Sequence, residues 1–395
     1  MRARHRGPDG AFRTWPGPAS AGRSSARPPE FAPLEFGPPE SGPPEFASAA
    51  GAQDSGRMGQ GRGERKTADP FAGEGAAARA ALVREIVADG GLRDPAWRAA
   101  FAEVPRHLFV PCYFAVRSGV HERMWREDPD PVRRADWLRG AYRDGPLATR
   151  LRDGDLVSSS SQPSLMALML EALDLRTGDT VLEIGAGTGY NAALLAHRLG
   201  DEAVTTIDLD PEITESARLH LDAAGYHPAV VTGDGARGCP ERAPYDAVVA
   251  TCTLASVPHA WVEQCAPGAR ILAPLSTGLI SLRVDEGAEG PEAEGHFLRT
   301  SAYFVPLRGG SGPGEAAAGV AGLPRRAVQN DLFRFLLTLT DGALDPHEAV
   351  ALWEREHRPD RSRFGVTVRG GRQWAWLDDP QGPYVWPLDE RRPLG

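Results

Sequence analysis

Short apolar runs alternate with longer segments of helical spacing between residues 180 and 275 of this chain. The runs typical of buried strands are 181–184, 204–207, 229–231, 245–250 and 270–274. The helical segments between them are 191–198, 211–224 and 258–265. This alternation predicts an α/β fold with a parallel, doubly wound sheet and helices on both faces. A ligand of such a sheet is expected beyond the carboxyl ends of its strands.

Two more helices are predicted ahead of this region. Apolar side chains recur at helical spacing over residues 76–89, where two glycines end the segment. Asp94, followed by Pro95, starts the second helix. The pattern over residues 112–140 is weak and charged, which predicts an insertion or a helical lid.

The C-terminal part, residues 318–395, has a pattern of its own. An apolar segment at 332–339 and a helical one at 346–356 precede predicted strands at 364–368, 373–377 and 384–386. We therefore expect a small accessory α+β unit. Trp374, Trp376 and Trp386 concentrate in these strands, where they form either a peptide-binding face or the core of a small sheet.

Residues 1–75 are rich in Pro, Gly, Ser and Arg and contain few aliphatic side chains. Such a segment cannot bury enough apolar surface to offset the entropy of ordering, so we predict a disordered tail. Phe31, Phe36 and Phe46 recur within its acidic, proline-rich repeat, which is either a docking ligand for a partner or a low-complexity linker. The predicted organisation is this tail, an α/β domain over residues 76–310 and the accessory unit.

Composition narrows the class of protein. The 395-residue chain has a formal net charge of −9 and no Lys/Arg-rich stripe of the kind that binds nucleic acid. No segment approaches the ~18 consecutive apolar residues of a membrane span. Its four cysteines include no C-x-x-C pair, which is typical of a reducing cytoplasm and indicates neither a disulfide framework nor a metal site. We expect a cytoplasmic protein that needs no metal and binds neither nucleic acid nor membrane.

The first predicted strand carries Glu183 and runs into a turn with Gly185, Gly187 and Gly189. A dinucleotide fingerprint would place its third glycine one position later, where this chain has Tyr190. The G-x-G-x-G spacing after an acid suits S-adenosylmethionine, which has no pyrophosphate. Its methionine carboxylate can take the free N–H groups at the start of the helix. Glu183 is the candidate partner of its ammonium group, directly or through water.

Two further acids complete the predicted cofactor site. Asp208 ends the second strand, where a carboxylate can accept hydrogen bonds from ribose hydroxyls. Asp210 is a less favoured substitute because it lies beyond the strand end. Asp234 ends the third strand, from which its side chain can reach the adenine amino group.

Several motifs follow one another in the order found in a known family. They are Val104-Pro105-Arg106-His107-Leu108-Phe109-Val110-Pro111, Ala141-Tyr142-Arg143-Asp144-Gly145-Pro146-Leu147, Ser161-Gln162-Pro163, Gly233-Asp234-Gly235 and Ala243-Pro244-Tyr245-Asp246-Ala247. In these motifs the chain resembles the protein-L-isoaspartate O-methyltransferases, over about residues 78–308. The resemblance implies a class I, Rossmann-like methyltransferase core that uses S-adenosylmethionine.

The resemblance also implies methyl transfer to the carboxylate of an aspartyl or isoaspartyl residue in a protein or peptide. A carboxylate is ionised at pH 7, so it needs no general base. Ser161 is the family's catalytic position, where its hydroxyl would hold and orient the acceptor carboxylate. The same serine also fits as a helix N-cap ahead of Pro163, and one hydroxyl can serve both roles.

Three features depart from the family's pattern. The loop before Pro163 consists of four serines, Ser158 to Ser161, the region 112–140 is lengthened, and the tryptophan-rich C-terminal part is additional. They resemble a subgroup that accompanies ATP-grasp ligases or lanthipeptide enzymes in ribosomal peptide maturation. There the next backbone nitrogen would attack the methyl ester of an aspartate and give an aspartimide, with a ligase as a further partner. General repair and peptide maturation both stay open.

Two hypotheses from other classes stand beside carboxyl methylation. The chain can instead be a peptide-binding protein that recruits substrate for a partner enzyme and keeps a vestigial cofactor site. The intact acids argue against this hypothesis. A small-molecule methyltransferase is disfavoured by the Ser161-Gln162-Pro163 context.

Overall fold

The computed structural model describes residues 69–117, 120–152, 155–308 and 322–388. All but residues 69–75 of the predicted disordered tail lie outside these ranges. The first helix begins at Ala72, earlier than the predicted start at residue 76. Its start is anchored because Phe71 packs edge-on against Trp137, with ring centroids 5.2 Å apart, and Asp69 Oδ2 lies 2.8 Å from His107 Nε2.

The helices are α1 (Ala72–Ala88), α2 (Pro95–Glu103), α3 (Arg106–Phe109), α4 (Pro131–Ala141), α5 (Pro163–Ala172), α6 (Tyr190–Leu199), α7 (Pro211–Ala224), α8 (His259–Glu263), α9 (Arg325–Val328), α10 (Asp331–Leu339) and α11 (Pro346–Arg355). The strands are β1 (Cys112–Arg117), β2 (Val120–Trp125), β3 (Leu147–Arg152), β4 (Asp155–Ser160), β5 (Val181–Ile184), β6 (Val204–Asp208), β7 (Ala229–Thr232), β8 (Tyr245–Ala250), β9 (Cys265–Leu275), β10 (Gly278–Gly287), β11 (Gly290–Ser301), β12 (Phe364–Arg369), β13 (Arg372–Leu377) and β14 (Val385–Pro387). None of these helices is long and apolar enough to cross a membrane.

The predicted parallel sheet is confirmed. Strand β5 pairs in parallel with β6 on one side and β8 on the other, and β7 and β9 continue the sheet in parallel. Every residue of β5 and β6 is buried, as expected for strands covered on both faces. The carboxyl ends of β5, β6 and β8 therefore meet at one edge of the sheet.

An antiparallel half that the sequence did not reveal continues this sheet. Strands β10 and β11 follow β9, and the full order is β14-β13-β12-β11-β10-β9-β8-β5-β6-β7. The strands β12, β13 and β14 of the C-terminal part lie close to their predicted positions, but they extend the central sheet instead of forming a sheet of their own. From here on, "the tail" means this C-terminal part, residues 322–388. Strand β12 pairs with β11 from Ala293 to His296, which closes an edge whose backbone groups would otherwise be free.

The segment 112–140 is not simply the insertion or helical lid that its weak pattern predicted. It does contain α4, but its first half is the hairpin β1–β2, which belongs to a second sheet of order β2-β1-β3-β4. The alternation was obscured because the face opposite Tyr113 and Met124 also carries apolar side chains, among them the exposed Val116. The paired residues Tyr113 and Met124 are both buried.

The tail shares a hydrophobic core with the α/β domain. Trp386 is buried in the same core cluster as Val248 and Ile271 of the parallel half. Trp376 is buried as well, where its ring meets His296 of β11 edge-on, with centroids 4.7 Å apart, and covers Gly365. Phe335 of α10 meets Phe297 of β11 edge-on, with ring centroids 4.9 Å apart. Core packing, and not a peptide-binding face, therefore explains these two tryptophans.

Replacing Gly365 with alanine tests the junction between tail and sheet. A Cβ atom at Gly365 would clash with the Trp376 ring and lie 2.5 Å from the Gly295 carbonyl oxygen. Overpacking of this kind costs about 1–3 kcal/mol, so Gly365→Ala should lower the melting temperature clearly. Gly73→Ala in α1, where a Cβ meets nothing within 4 Å, is the matched control and should cause no loss. An unchanged melting temperature for Gly365→Ala would contradict the pairing of β12 with β11.

Candidate active site

A cleft with an open volume of about 790 Å³ lies at the carboxyl ends of β5, β6 and β8. The main segments that line it are 157–161, 183–188, 207–209 and 305–308, together with Tyr190, Asn191, Gly235, Thr251 and Cys252. This is the edge at which the sequence predicted a ligand. The cleft contains Ser161, Glu183, Gly185, Gly187 and Asp208 of the predicted site.

The turn after β5 needs glycine at two positions for different reasons. Gly185 has φ +98°, and a Cβ atom there would lie 2.7 Å from the Thr251 hydroxyl. Gly189 has φ +84° and precedes α6, where a Cβ atom would press on the Ala217 carbonyl oxygen at 3.2 Å. These left-handed conformations bring the backbone of the turn against the cleft without side chains in the way.

Glu183 is completely buried at the end of β5. Asn191 Nδ2 donates to its Oε1 at 2.8 Å, whereas Glu183 Oε2 and Asn191 Oδ1 have no hydrogen-bond partner among the described residues. Burial raises the pKa of Glu183 to about 7, and hydrogen bonding offsets this only in part. Glu183 thus borders the cleft with one buried oxygen that has no regular hydrogen bond among the described residues; the nearby Thr206 hydroxyl, whose Oγ1 also lacks one, contributes to lowering the pKa of this carboxyl.

Asp208 and Asp210 have different positions. Asp208 lines the cleft, and its Oδ1 accepts a 2.8 Å hydrogen bond from Arg308 Nη2. Asp210 is not part of the lining; its Oδ1 caps α7 by accepting from Glu212 N at 2.9 Å. Its Oδ2 pairs with Arg152 at 3.1 Å. The structure therefore favours Asp208 over Asp210 as the acid of the cleft.

Asp234 does not line the cleft, although the neighbouring Gly235 does. Its Oδ1 accepts from Ala236 N at 3.0 Å and so caps a short 3-10 turn. Its Oδ2 lies 3.9 Å from Arg237 Nε. The predicted contact of this carboxylate with a ligand is therefore not preformed, because the local turn already uses the side chain.

Ser161 lies between β4 and α5 and borders the cleft. Its predicted role as the N-cap of α5 is wrong, since Gln162 occupies the cap position. Asp144 caps the helix from a distance instead: its Oδ1 accepts from Ser164 N at 2.9 Å, and its Oδ2 accepts from Gln162 Nε2 at 3.0 Å. The Ser161 hydroxyl is therefore not engaged in capping.

Arg106 is a residue of the site whose role the sequence did not reveal. Its side chain is fully buried, and Nη2 donates to the Ser161 carbonyl oxygen at 3.0 Å and to Ser160 Oγ at 3.3 Å. Nη1 donates to the Ala141 carbonyl oxygen at 2.8 Å, and the guanidinium lies 5.8 Å from the centroid of the Tyr190 ring. One cation thus connects the serine loop to the first residue of α6. The sequence signals were its place in the motif 104–111 and an arginine within a mostly apolar stretch.

Three of the four serines that the sequence analysis placed in a loop, Ser158 to Ser160, are the last residues of β4, and only Ser161 follows the strand; we keep the name serine loop for Ser158 to Ser161. Two ion pairs fasten the β3–β4 hairpin, which carries these serines, to the start of α7. Arg150 Nη1 lies 2.6 Å from Glu212 Oε2, and Arg152 Nη2 lies 3.1 Å from Asp210 Oδ2. The serine loop itself passes over the glycine turn, where the Ser159 carbonyl oxygen would lie 3.5 Å from a Cβ atom on Gly187. The hairpin therefore forms one wall of the cleft.

Comparison with known proteins agrees with this geometry. The family model "Protein-L-isoaspartate(D-aspartate) O-methyltransferase (PCMT)" matches residues 77–311. The protein-L-isoaspartate O-methyltransferase of Hyperthermus butylicus is 34% identical over 243 residues, which cover 59% of this chain and 89% of that protein. Protein-L-isoaspartate O-methyltransferase 1 of Anaeromyxobacter sp. is 36% identical over 241 residues, covering 59% of this chain and 97% of that protein.

A solved structure of a protein-L-isoaspartate O-methyltransferase superimposes with a TM-score of 0.52 at 22% identity, over 78% of this chain and 98% of the other. At that identity the likeness shows the fold, which is the α/β fold of S-adenosylmethionine-dependent methyltransferases. The family match covers more than half of the sequence. The chain therefore belongs to the protein-L-isoaspartate O-methyltransferase family.

Proposed function

We propose that this chain transfers a methyl group from S-adenosylmethionine to the carboxylate of an isoaspartyl or aspartyl residue in a protein or peptide. Membership of the family supports the class of reaction. The observation that carries the proposal is Glu183, which borders the cleft beside the glycine turn and whose buried Oε2 has no hydrogen-bond partner among the described residues. A buried acceptor without a donor is costly, and a cationic ligand group relieves that cost.

The residues present fit this cofactor. Glu183 would accept from its ammonium group, and the N–H groups after Gly187 and Gly189, at the start of α6, would take its carboxylate. Asp208 would accept from the ribose hydroxyls while sharing its oxygens with Arg308. Gly235, in the turn that Asp234 caps, would form the wall of the site beside the adenine. Asp234 is the proposed partner of the adenine amino group. When bound, S-adenosylmethionine supplies an electrophilic methyl group on a positively charged sulfur.

The protein's own contribution is to place the acceptor. An ionised carboxylate needs no base, and none of the described residues that line the cleft is a histidine. The Ser161 hydroxyl would donate a hydrogen bond to one carboxylate oxygen and leave the other free to attack. Arg106 keeps this serine in place by holding its carbonyl oxygen. Alignment alone can be worth about 7–11 kcal/mol in well-oriented reactions.

A dedicated peptide is the second candidate acceptor. It is favoured by the serine loop, because Ser158, Ser159, Ser160 and Ser161 all border the cleft and make the acceptor side polar. In that case the ester of an aspartyl residue would lose methanol when the next backbone nitrogen attacks its carbonyl carbon. The product would be an aspartimide, and a peptide ligase would be the partner enzyme. General repair needs an isoaspartyl residue and no such partner.

The acceptor is tested with labelled S-adenosylmethionine and a pair of peptides that differ only in one isoaspartyl or aspartyl linkage. We expect base-labile label on the isoaspartyl peptide and at most a trace on its partner. Label on neither peptide, nor on an acidic precursor peptide from neighbouring genes, would overturn carboxyl methylation. Label on the precursor alone would favour peptide maturation over repair.

Replacing Ser161 with alanine tests the role of its hydroxyl. Loss of a hydrogen bond to a charged group costs about 1.5–3 kcal/mol, so we expect kcat to fall roughly 10- to 100-fold. Binding of S-adenosylhomocysteine, measured by calorimetry, should be unchanged. Ser164→Ala is the control, because this serine lies outside the cleft lining. If Ser161→Ala weakened binding and turnover equally, the serine would have a structural role only.

A further inference from the structure

One side chain of the C-terminal tail reaches the loop behind the cleft, although the tail lies outside the family match. Gln373 stands in β13. Its Oε1 accepts from Val257 N at 2.8 Å, and its Nε2 donates to the Val257 carbonyl oxygen at 3.2 Å. Val257 is fully buried. A single amide thus satisfies both backbone groups of a residue 116 positions earlier in the chain.

The residues 251–258, which we call the cleft loop, follow β8 and join two walls of the cleft. Thr251 Oγ1 donates to the Gly185 carbonyl oxygen at 2.9 Å and so contacts the glycine turn. Thr253 N donates to the Val305 carbonyl oxygen at 2.8 Å, and Leu307 N donates back to the Thr253 carbonyl oxygen at 2.9 Å. The cleft loop therefore holds the segment that carries Arg308 against the end of the sheet.

Gln373 secures the far end of the cleft loop. Leu254 N donates to the Pro274 carbonyl oxygen at 2.9 Å in the middle of the loop, and Val257 lies beyond this bond. Without the amide of Gln373, the buried N–H and C=O groups of Val257 would have to find other partners or stay unsatisfied. The loop could satisfy them only by shifting, and Thr251 and Thr253 would move with it.

We propose that Gln373 is a positioning residue of the active site, through which the tail holds the cleft loop in the geometry that binds the cofactor. This inference rests on the proposed function, because it takes S-adenosylmethionine as the ligand. The acceptor side of the cleft is built separately, from the β3–β4 hairpin and Arg106. Loss of Gln373 should therefore weaken cofactor binding and leave the chemical step at saturating cofactor nearly intact.

The test uses the full chain with Gln373→Leu, which keeps the approximate size of the side chain and removes both hydrogen bonds. We expect the Kd for S-adenosylhomocysteine and the KM for S-adenosylmethionine to rise about tenfold, with kcat within twofold of the unchanged protein. Gln373→Glu keeps an acceptor for the Val257 N–H but loses the donor, so it should raise both constants less. This second variant keeps the test decisive if the leucine variant fails to fold.

Two controls separate positioning from general stability. Gln381→Leu changes an exposed glutamine in the turn between β13 and β14 and should alter neither constant. Trp353→Phe removes packed side-chain volume from the core around α11, where Trp353 is buried against Phe333. It should lower the melting temperature without moving Kd or KM.

Unchanged Kd and KM in Gln373→Leu, or an equal rise in Trp353→Phe, would overturn the inference while the proposed function stands. If the unchanged protein bound no S-adenosylhomocysteine, the proposed function itself would fail.

Discussion

The carboxylate of Glu183 is the group on which the rest of the cleft depends. It is completely buried; its Oε1 accepts a hydrogen bond from Asn191, and its Oε2 has no partner in the part of the chain that the structure describes. Burial raises its pKa from the ordinary 4.5 to about 7. The folded protein therefore keeps a proton that the unfolded chain releases, and stability contributed by this group is lost as pH rises through 7. A buried acid with a pKa shifted this far, at the border of a cleft, is a candidate for contact with a ligand.

The two walls of the cleft come from parts of the chain that are far apart in sequence. The β3–β4 hairpin, held by Arg106 and by ion pairs to α7, presents the serine loop. The opposite wall consists of the cleft loop and the segment before Arg308, and the tail braces it through Gln373. The tail strands are thus placed to act on the site, because they continue the sheet from which the cleft opens. The two walls therefore rest on separate supports, Arg106 and the ion pairs to α7 on one side and Gln373 on the other.

The sequence predicted the parallel half well because its strands are mostly apolar and its helices begin at clear signals. The bounds of β5 and α7 match the prediction, and Asp210 with Pro211 marks the start of α7. Strand β10 was missed although its pattern is typical of a half-buried strand, since buried Ile280, Leu282 and Val284 alternate with polar residues. Strand β11 gives a weaker signal, because only Ala293 and Phe297 of its twelve residues are buried. The capping by Asp144, the burial of Arg106 and the pairing of β12 with β11 are contacts between distant segments, which no local pattern encodes. Glu183, Asp208 and Ser161 lie in the cleft as expected, but their roles toward a ligand stay predictions.

The affinity for S-adenosylhomocysteine between pH 6 and 8, measured by calorimetry on the unchanged protein and on Glu183→Gln, tests the central claim most directly. Below pH 7 the carboxylate is mostly protonated, and above pH 7 it is charged and can pair with the ligand's ammonium group. The unchanged protein should therefore bind about tenfold more tightly at pH 8 than at pH 6, since each pKa unit corresponds to a factor of ten. Glu183→Gln should bind more weakly at pH 8 and show almost no dependence on pH. Equal affinity of the two proteins at pH 8, or no pH dependence in the unchanged protein, would contradict the account.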